Sequence, residues 1–455
     1  MTDPLIIPRA DHPISRHDID PDALKVLTRL QENDYTAYLV GGSVRDLLLG
    51  RRPKDFDIGT DAHPYEIKKL FRNCWIIGRR FRLAHIKYGA KTIEVATFRQ
   101  NITDIQAAAA EAQAGAPAPE APAPDSPRPR AHADEHGIVR RDNLYGTPEE
   151  DAFRRDFTVN ALFYDIATRS VIDYTGGLED LQNRRIVCIG DPTVRFTEDP
   201  VRMLRAAVFA ARLDFEMDEA VLDAMDTHGH LIQKASPARL LEEYFKILRS
   251  GYAEATFRVL DGVGLLELIT PELRDAPDAF WASLARLDSW RRQHPDIPTE
   301  MVNPVLMGAL LVPLGFVNPH EDSLTLGMLT LARKDYERLR HLLVTVPKLA
   351  DANLPVRVSR GLPGRPSFAD ALTWLDIFGH DDADVTEAVA HWKLLKSQMP
   401  KPEPQERRSH QHGPRPTPTG PGQTAAPAEG ATHDPRRRRR RRGRGRGPRP
   451  GGATS

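Results

Sequence analysis

Two adjacent glycines restrict what the first hundred residues can fold into. The apolar run TAYLV predicts a short strand, Gly41 and Gly42 follow it, and SVRDLLLG predicts a helix that begins near Ser43. Glycine lets a backbone approach phosphates closely, and a helix N-terminus favours anions. The segment is therefore suited to hold phosphate groups, although a Gly-Gly pair alone is more often just a turn.

Two aspartates separated by one residue follow in DFDIGT. We predict a strand here, which places the side chains of Asp55 and Asp57 on the same face. Neighbouring carboxylates repel each other unless a cation lies between them, and magnesium suits this geometry because it prefers oxygen ligands. The alternative is a pair of exposed turn aspartates. Arg45, one turn into the preceding helix, either contacts a triphosphate or is a solvated arginine paired with an acid.

The pattern of apolar residues predicts a mixed α/β region followed by a helical one. Between residues 36 and 100, PYEIKKLF predicts a second helix, and AHIKYG and KTIEVATF predict alternating strands. From about Asp199 onward, segments such as DPVRMLRAAVFAARL and SPARLLEEYFKILRSG have apolar residues at the three- and four-residue spacing of amphipathic helices. We find no internal repeat.

Two segments have too few large apolar residues to offset the entropy of ordering, so we predict that both are disordered. Residues 104–135 are rich in Ala and Pro and are predicted to form a surface loop within a domain. The tail from about residue 401 carries fourteen Lys/Arg and four Asp/Glu, a net charge of +10 in a chain whose total charge is zero. The charge that could attract a polyanion is concentrated there.

The remaining composition indicates a cytoplasmic protein. Cys74 and Cys188 are too few for a disulfide framework or a cysteine-rich zinc site. The first twenty residues lack the charged start and apolar run of a signal peptide. The longest apolar run, VNPVLMGALLVPLGFV, is interrupted by prolines and is too short to span a bilayer. We therefore expect a soluble protein with no membrane partner.

The glycines, the arginine and the aspartates together resemble the head of the class II nucleotidyltransferases, in the DNA polymerase β-like superfamily. This family contains the tRNA CCA-adding enzymes and the bacterial poly(A) polymerases. The resemblance, carried by GGSVRDLLLG and KDFDIGT, implies nucleotidyl transfer with two magnesium ions. One ion would lower the pKa of an RNA 3′-hydroxyl, and the other would hold the triphosphate and stabilise the leaving pyrophosphate. Asp55 and Asp57 match the family's metal-binding pair and are expected to be catalytic.

Two further stretches extend the resemblance. IEVATFR places Glu94 on a strand, either as a third metal ligand or as an ordinary exposed residue. EEDAFRRDFTVNALFYD resembles the family's Arg-Arg-Asp motif. This match implies that Asp156 is catalytic or contacts the nucleotide ribose, and that Arg154 and Arg155 approach phosphates or the base. The alternative is a charge cluster that holds a turn.

The segment TEDPVRMLRAAVFA resembles the Glu-Asp-x-x-Arg motif that reads the incoming base. Glu198, Asp199 and Arg202 fall at helical spacing, with Arg205 one turn further. A carboxylate and a guanidinium on one face can hydrogen-bond the Watson–Crick edge of a base. Asp199 before a proline is also a good N-cap. Both interpretations hold if Asp199 caps the helix while Arg202 reads the base.

Residues 70–89 closely resemble the stretch typical of the bacterial poly(A) polymerases, whereas CCA-adding relatives differ here. The CCA-adding enzymes usually carry Glu-Arg where this chain has Ala238-Arg239. Trp75 stands where the family usually has arginine, so it either offers stacking to RNA or simply lines the surface. The resemblance covers residues 36–260 well and is thin from 270 to 400.

Two basic clusters are candidate RNA contacts. Arg79, Arg80 and Arg82 either contact RNA or triphosphate, or form a solvated, salt-bridged surface. Seven consecutive arginines in the tail should strengthen RNA binding without sequence specificity and more steeply as salt falls. A solubility tail, or a docking tail for an acidic protein, is the alternative. These residues are Arg436, Arg437, Arg438, Arg439, Arg440, Arg441 and Arg442.

The expected fold class is α+β, with a mixed-sheet head followed by helical domains. The expected divisions are an N-terminal extension (1–21), a nucleotidyltransferase head (22–185) with the insert 104–135, a helical nucleotide- and RNA-binding neck (186–260), a helical body (261–400) and a disordered basic tail (401–455).

The resemblance implies template-independent transfer of AMP from ATP to RNA 3′ ends, with two Mg²⁺ ions and release of pyrophosphate. CCA- or A-addition to tRNA is the alternative. A catalytically inactive RNA-binding protein is a remote one, against which Asp55, Asp57 and Asp156 argue. The expected partners are RNA 3′ ends, ATP and proteins of RNA decay, and the expected state is a monomer.

Overall fold

The computed structural model describes residues 3–78, 82–100, 145–295, 301–317, 325–351, 354, 356–379 and 382–398. The predictions of disorder for residues 104–135 and 401–455 concern segments outside the described residues.

An eight-stranded mixed sheet forms the N-terminal part of the fold. Its strand order is β1-β8-β7-β2-β3-β6-β5-β4, and within it β3 and β6 are parallel while the other neighbours are antiparallel. The strands are β1 (Leu5–Ile7), β2 (Ala37–Val40), β3 (Ile58–Thr60), β4 (Cys74–Ile77), β5 (Leu83–Tyr88), β6 (Lys91–Thr97), β7 (Leu162–Asp165) and β8 (Ser170–Asp173).

Helices α1 (Pro21–Gln31) and α3 (Pro64–Leu70) cover one face of this sheet. The Asp20 carboxylate accepts hydrogen bonds from the first amides of α1, and a proline occupies the first helical position, as is typical of a helix start. Val26, Leu27 and Leu30 are fully buried at three- and four-residue spacing. This covering leaves the opposite face of β4, β5 and β6 for other contacts.

The structure corrects the strand prediction for DFDIGT. Strand β3 begins only at Ile58, so Asp55 and Asp57 precede it. The amide of Val40 still donates to the carbonyl of Asp57 over 3.1 Å, which keeps that residue beside β2. Aspartate is depleted in strands, and this depletion explains why the regular ladder starts after the second aspartate.

Short helices follow the turn and connect the later strands. They are α2 (Gly42–Leu48), α4 (Pro148–Phe153) and α5 (Gly177–Gln182). The helical region then comprises α6 (Pro192–Glu198), α7 (Val201–Leu213), α8 (Glu219–His228), α9 (Pro237–Leu248), α10 (Ala253–Gly262), α11 (Leu265–Ile269), α12 (Asp278–Gln293), α13 (Asn303–Leu311), α14 (Arg333–Ala350), α15 (Val356–Gly361), α16 (Phe368–Phe378) and α17 (Ala383–Gln398).

The helical region is interrupted by two small ladders that periodicity did not predict. β9 (Arg185–Ile186) pairs in parallel with β10 (Glu216–Met217), and β11 (Thr325–Leu326) pairs with β12 (Leu329–Thr330) in a tight antiparallel turn. Among the described residues, one connected apolar cluster includes members from Ile14 to Trp392, and a smaller one includes Val40, Phe98 and Phe163. The predicted domain boundaries at residues 21, 185 and 260 stay predictions.

The longest apolar run of the sequence lies in the core. Its helix α13 spans nine residues, and Leu306 and Leu310 are both buried. Across the described ranges, no helix combines the length and the apolar character needed to cross a membrane.

Candidate active site

The glycine turn joins β2 to α2 and brings the backbone close to an arginine. Gly41 has φ +69°, and a Cβ atom there would lie 2.8 Å from Nη1 of Arg155. The Gly41 amide donates to the carbonyl of Leu162 over 2.9 Å. A side chain at this position would therefore be strained and would displace Arg155. Gly42 is the first residue of α2, and phosphate binding by the two glycines stays a prediction.

Arg45 occupies a different environment from the solvated one considered above. Its side chain is 2% exposed. The guanidinium donates to Oδ1 of Asp46 over 2.7 and 2.9 Å and to Oδ1 of Asn160, and it lies 5.5 Å from the ring centre of Phe209. Burial lowers the pKa of Arg45, while Asp46 counters that shift. With these contacts filled, the geometry favours a structural role over contact with a triphosphate.

The two aspartates of DFDIGT lie just before β3, and both are accessible to solvent. Neither makes an ion pair with a described residue. Partial desolvation, together with the negative charges of Glu94 and Asp55, raises the pKa of Asp57 to about 6, and Arg155 counters this shift. Because like charges disfavour ionisation, this carboxylate is suited to a site where a cation is supplied from outside the chain.

Glu94 lies on β6, and its Oε1 is 3.4 Å from Nε2 of His85 on β5. Within the described ranges, no three His, Cys, Asp or Glu side chains form a ready-made metal site. Magnesium does not require one, because it usually takes one or two carboxylates and completes its shell with water and substrate phosphates. The repulsion on Asp57 and the all-oxygen donor set therefore fit magnesium at Asp55 and Asp57. Glu94 already contacts His85, so it would have to give up that contact before it could bind a metal ion.

The Arg-Arg-Asp motif follows α4 and is organised by Asp151. Oδ1 of Asp151 lies 2.5 Å from Nη2 of Arg154, and its Oδ2 lies 2.9 Å from Nη2 of Arg155. Arg155 also donates to the carbonyl of Asn160 over 3.1 Å. Asp151 was not predicted as a site residue, although its spacing of three and four residues before the arginines is a signal for helical ion pairs.

Asp156 meets the helical region. It is 8% exposed, and its Oδ2 lies 2.6 Å from Nη2 of Arg205 on α7. Its Oδ1 accepts a hydrogen bond from the Phe157 amide over 3.0 Å. The structure thus brings together two predicted site residues that are distant in sequence.

The predicted base-reading residues do not share one helix. Helix α6 ends at Glu198 and α7 begins at Val201, because the chain turns at Asp199 and Pro200. Nη1 of Arg202 still donates to Oε2 of Glu198 over 2.8 Å. The predicted carboxylate–guanidinium pair therefore forms across a helix break, where a proline without an N–H group ends the first helix.

Asp199 contacts both the start of α7 and α9. Its Oδ1 accepts from the Val201 amide over 3.2 Å, as a capping residue does, and its Oδ2 accepts from Nη2 of Arg239 over 2.6 Å. The capping interpretation is consistent with the first contact. The ion pair between Arg239 and Asp199 was not predicted from the sequence.

Arg195 is a second residue that our sequence analysis missed. Its buried guanidinium donates to Oε2 of Glu198 over 3.1 Å and to the carbonyls of Arg154, over 2.9 Å, and Arg155. Burial, with the nearby Arg202, lowers the pKa of Arg195. The residue links the Arg-Arg-Asp turn to α6. No local pattern reveals a buried arginine on a short polar helix.

The basic residues near β4 are described only in part. Nη1 of Arg82 lies 3.4 Å from Oη of Tyr65, and its guanidinium lies 5.5 Å from that ring centre. Trp75 is 51% exposed, which agrees with a surface-lining aromatic. The predictions for Arg79, Arg80 and Arg436–Arg442 lie outside the described residues.

Comparison with known families finds two matching models. The model described as "Poly A polymerase head domain" matches residues 37–187. The model described as "Probable RNA and SrmB- binding site of polymerase A" matches residues 214–276.

Curated relatives carry two kinds of name. Poly(A) polymerase I of Escherichia coli O157:H7 is 44% identical over 272 residues, 59% of this chain and 54% of that protein. Poly(A) polymerase I of Haemophilus influenzae is 43% identical over 269 residues, 59% of this chain and 55% of that protein. The CCA-adding enzyme of Bacillus pumilus is 34% identical over 248 residues, 54% of each chain. The chain thus spans about half the length of the curated relatives it matches.

Solved structures support the fold class. The Bacillus stearothermophilus CCA-adding enzyme in complex with CTP aligns with a TM-score of 0.54 at 23% identity, over 83% of this chain and 82% of that chain. A tRNA-processing enzyme (apo form I) aligns with a TM-score of 0.50 at 23% identity, over 84% of this chain and 93% of that chain. The predicted α+β class, a mixed-sheet head followed by helices, is confirmed.

Proposed function

We propose that the protein transfers AMP from ATP to RNA 3′ ends without a template and releases pyrophosphate, because residues 37–187 match the model described as "Poly A polymerase head domain". The observation that carries this proposal is the position of two exposed aspartates, Asp55 and Asp57, directly beside the glycine turn: the amide of Val40, which precedes Gly41, donates to the carbonyl of Asp57 over 3.1 Å. A nucleotide on the turn and its metal would supply the positive charge that neighbouring carboxylates require.

Asp55 and Asp57 would hold magnesium, and Glu94 would be a third ligand if it leaves His85. Two bound magnesium ions would activate the RNA 3′-hydroxyl and neutralise charge on the triphosphate and the leaving pyrophosphate. Asp55 and Asp57 are exposed and make no ion pair with a described side chain, so they need to break no ion pair before they bind a metal ion.

The triphosphate is proposed to lie along the turn at Gly41 and Gly42, beside Arg155. Asp151 holds that guanidinium from one side and the Asn160 carbonyl holds it from another. A fixed arginine loses less rotamer entropy when it binds phosphate than a free one does. Arg154 shares the Asp151 carboxylate and is proposed to approach the same phosphates or the base.

Asp156 is proposed to contact the nucleotide ribose. Arg205 already neutralises its charge, so Asp156 can accept a hydrogen bond from a hydroxyl without bringing a free negative charge to the triphosphate. Glu198, Asp199 and Arg202 are proposed to read the base. Arg239 and Arg195 hold the two acids in place, and Arg202 presents further N–H groups for the Watson–Crick edge.

The identities to named relatives favour ATP over CTP as the proposed substrate of this chain. Those named poly(A) polymerase I are 43–45% identical to this chain, against 34–36% for those named CCA-adding enzyme, over similar lengths. RNA is the proposed acceptor, in line with the matched model for residues 214–276. We also propose that Arg79, Arg80, Arg82 and the tail arginines bind RNA. The domain divisions given above, association with RNA-decay proteins, a monomeric state and a cytoplasmic location are further proposals.

One assay distinguishes the alternatives. The full chain, with magnesium, is offered a generic RNA or a tRNA that ends before CCA, each with ATP alone, CTP alone or both. We expect long A tails on the generic RNA from ATP alone. Two C residues and one A, added only to the tRNA, would make it a CCA-adding enzyme. Binding without any transfer would favour an inactive RNA-binding protein.

A further inference from the structure

One face of the sheet carries a row of side chains that crosses four strands. The parallel pairing of β3 with β6 places Asp57, which immediately precedes β3, level with Glu94. In the next pair of strands Glu94 lies opposite His85, and in the last pair His85 lies opposite Trp75. The row therefore runs from Asp57 through Glu94 and His85 to Trp75 on the edge strand.

The side chains of this row point to the same side of the sheet. Oε1 of Glu94 and Nε2 of His85 are 3.4 Å apart. Nζ of Lys87, two residues along β5 from His85, lies 5.3 Å from the centre of the Trp75 ring. The alternate residues Ile86 and Ile93 are buried in the core on the opposite side. The row thus lies on the face that α1 and α3 leave uncovered.

Trp75 ends this row as an accessible aromatic surface. It is 51% exposed, and Ile77, two residues further on the same face of β4, is 48% exposed. Lys87, beside the indole, makes no ion pair with any residue in the described ranges. An exposed indole next to an unpaired ammonium, with no acid directly opposite, matches the surfaces that bind single-stranded nucleic acid.

We propose that Trp75 stacks on a base of the RNA strand that leads to the 3′ end, while Lys87 contacts the adjoining phosphate. This inference rests on the proposed function, because it requires that the 3′-hydroxyl reach Asp57. Three strand spacings separate the two ends of the row, roughly 14 Å. Stacked nucleotides rise about 3.4 Å each, so the stacked base would lie about four nucleotides from the terminus.

The first test is tryptophan fluorescence of the full chain titrated with oligo(A) RNA in the absence of ATP. The chain has five tryptophans, and Trp290, Trp374 and Trp392 are buried. We expect RNA to quench the wild-type emission and expect Trp75→Phe to lose most of that quench while it keeps RNA affinity. Unchanged quenching in Trp75→Phe would overturn the proposal.

The second test separates stacking from simple apolar contact. Trp75→Leu keeps an apolar side chain but loses the aromatic face, and we expect roughly tenfold weaker RNA binding and a matching rise in KM for RNA, with kcat little changed. The loss should appear with RNAs of six nucleotides and be small with RNAs of three. Leu394→Ala, at an exposed apolar residue of α17, is the matched control and should leave both constants unchanged.

These results distinguish this inference from the proposed function. If wild-type protein makes A tails and Trp75→Leu binds RNA as tightly as wild type, the stacking site is wrong and the activity stands. If the wild type transfers no nucleotide in the assay above, the proposed function fails first. A Trp75→Leu variant with unchanged RNA affinity and lost self-association, measured by sedimentation, would show that this face binds protein. Thermal unfolding checks that each variant folds.

Discussion

Two groups of acids lie close to the glycine turn, and they differ in their ion pairs: one group is paired with arginines and the other is not. Around the Arg-Arg-Asp motif, three acids pair with arginines: Asp151 pairs with Arg154 and Arg155, Asp156 with Arg205, and Glu198 with Arg202. Around β3, Asp55 and Asp57 make no ion pair with a described residue. The charges of the first group are neutralised by arginines of the fold, whereas those of the second would be neutralised by a cation from solution.

This difference shows which side chains are held in place before any ligand binds. An ion pair with fixed partners positions a guanidinium before substrate arrives, which lowers the ordering cost at binding. Unpaired carboxylates have the opposite effect, because their repulsion opposes folding until a cation joins them. We therefore expect the two groups to respond differently to mutation, pH and magnesium.

The largest expected effect comes from the unpaired group. Asp55→Ala should lower AMP transfer by roughly a thousandfold or more, because it removes a metal ligand, while RNA binding and thermal stability stay near wild type. Single-turnover kinetics and an RNA filter-binding assay measure the two properties. Asp61→Ala, at an exposed aspartate just after β3, is the matched control. Equal transfer by Asp55→Ala would contradict the two-metal assignment.

Mutation of the first group, the acids paired with arginines, should chiefly lower the stability of the fold. Asp151→Asn keeps the shape of the side chain but leaves Arg154 and Arg155 without their shared carboxylate. We expect a loss of about 2–3 kcal/mol in the free energy of unfolding, since breaking a largely buried pair is costly. Urea unfolding measures it. Arg258→Gln, which breaks the exposed pair with Glu254, should cost less than about 1 kcal/mol. If both variants lose the same amount, the burial of Asp151 has no energetic weight.

Nucleotide choice tests the residues that are proposed to read the base. Arg202→Ala should lower kcat/KM for ATP roughly tenfold and narrow the preference for ATP over CTP, because it removes charged donors from the base-reading edge. Steady-state kinetics with each nucleotide on the same RNA measures both. Arg212→Ala, an arginine of the same helix that pairs with Asp46 instead, should leave the ATP:CTP ratio unchanged. An unchanged ratio in Arg202→Ala would remove it from nucleotide selection.

The smallest expected effect is on the pH dependence of stability. The pKa of Asp57 is raised to about 6, so the folded state binds its proton more tightly than the unfolded state does. Its contribution to stability is present below about pH 4 and is lost as pH rises through 6. Without magnesium, wild type should lose about 1 kcal/mol more than Asp57→Asn between pH 4 and 7 once solvent screening is allowed for.

Urea titrations in chelator measure this difference at each pH. Magnesium added at pH 7 should restore stability to the wild type more than to Asp57→Asn. Parallel pH profiles for the two proteins would mean that the pKa of Asp57 is not raised in the folded state.

Part of this site could be predicted from contiguous stretches of the sequence. The Gly41–Gly42 turn, the aspartate pair and the Arg-Arg-Asp motif are contiguous, so their residue types could be read directly. The proline at position 200 also carried enough information to predict a helix break there. The strand start at Ile58 was missed because the alternating pattern was given more weight than the low strand propensity of aspartate.

What escaped prediction depends on contacts between distant segments. The burial of Arg45 requires Asn160 and Phe209, and no local pattern links them. The row from Asp57 to Trp75 depends on strand order and register, which a single sequence does not fix. Arg195 was missed for the same reason, since its partners lie forty residues earlier.

The Asp46 carboxylate has a consequence for the order of events during synthesis. It is buried, and it accepts from Arg45 in the glycine-turn helix and, over 3.0 Å, from Arg212 in α7. A nascent chain that has left the ribosome only as far as β8 contains all eight strands of the sheet. It still lacks the second guanidinium for Asp46 and the Phe209 ring for Arg45. The turn that would receive the nucleotide is therefore completed only after translation has passed α7, so ATP would stabilise finished chains over unfinished ones.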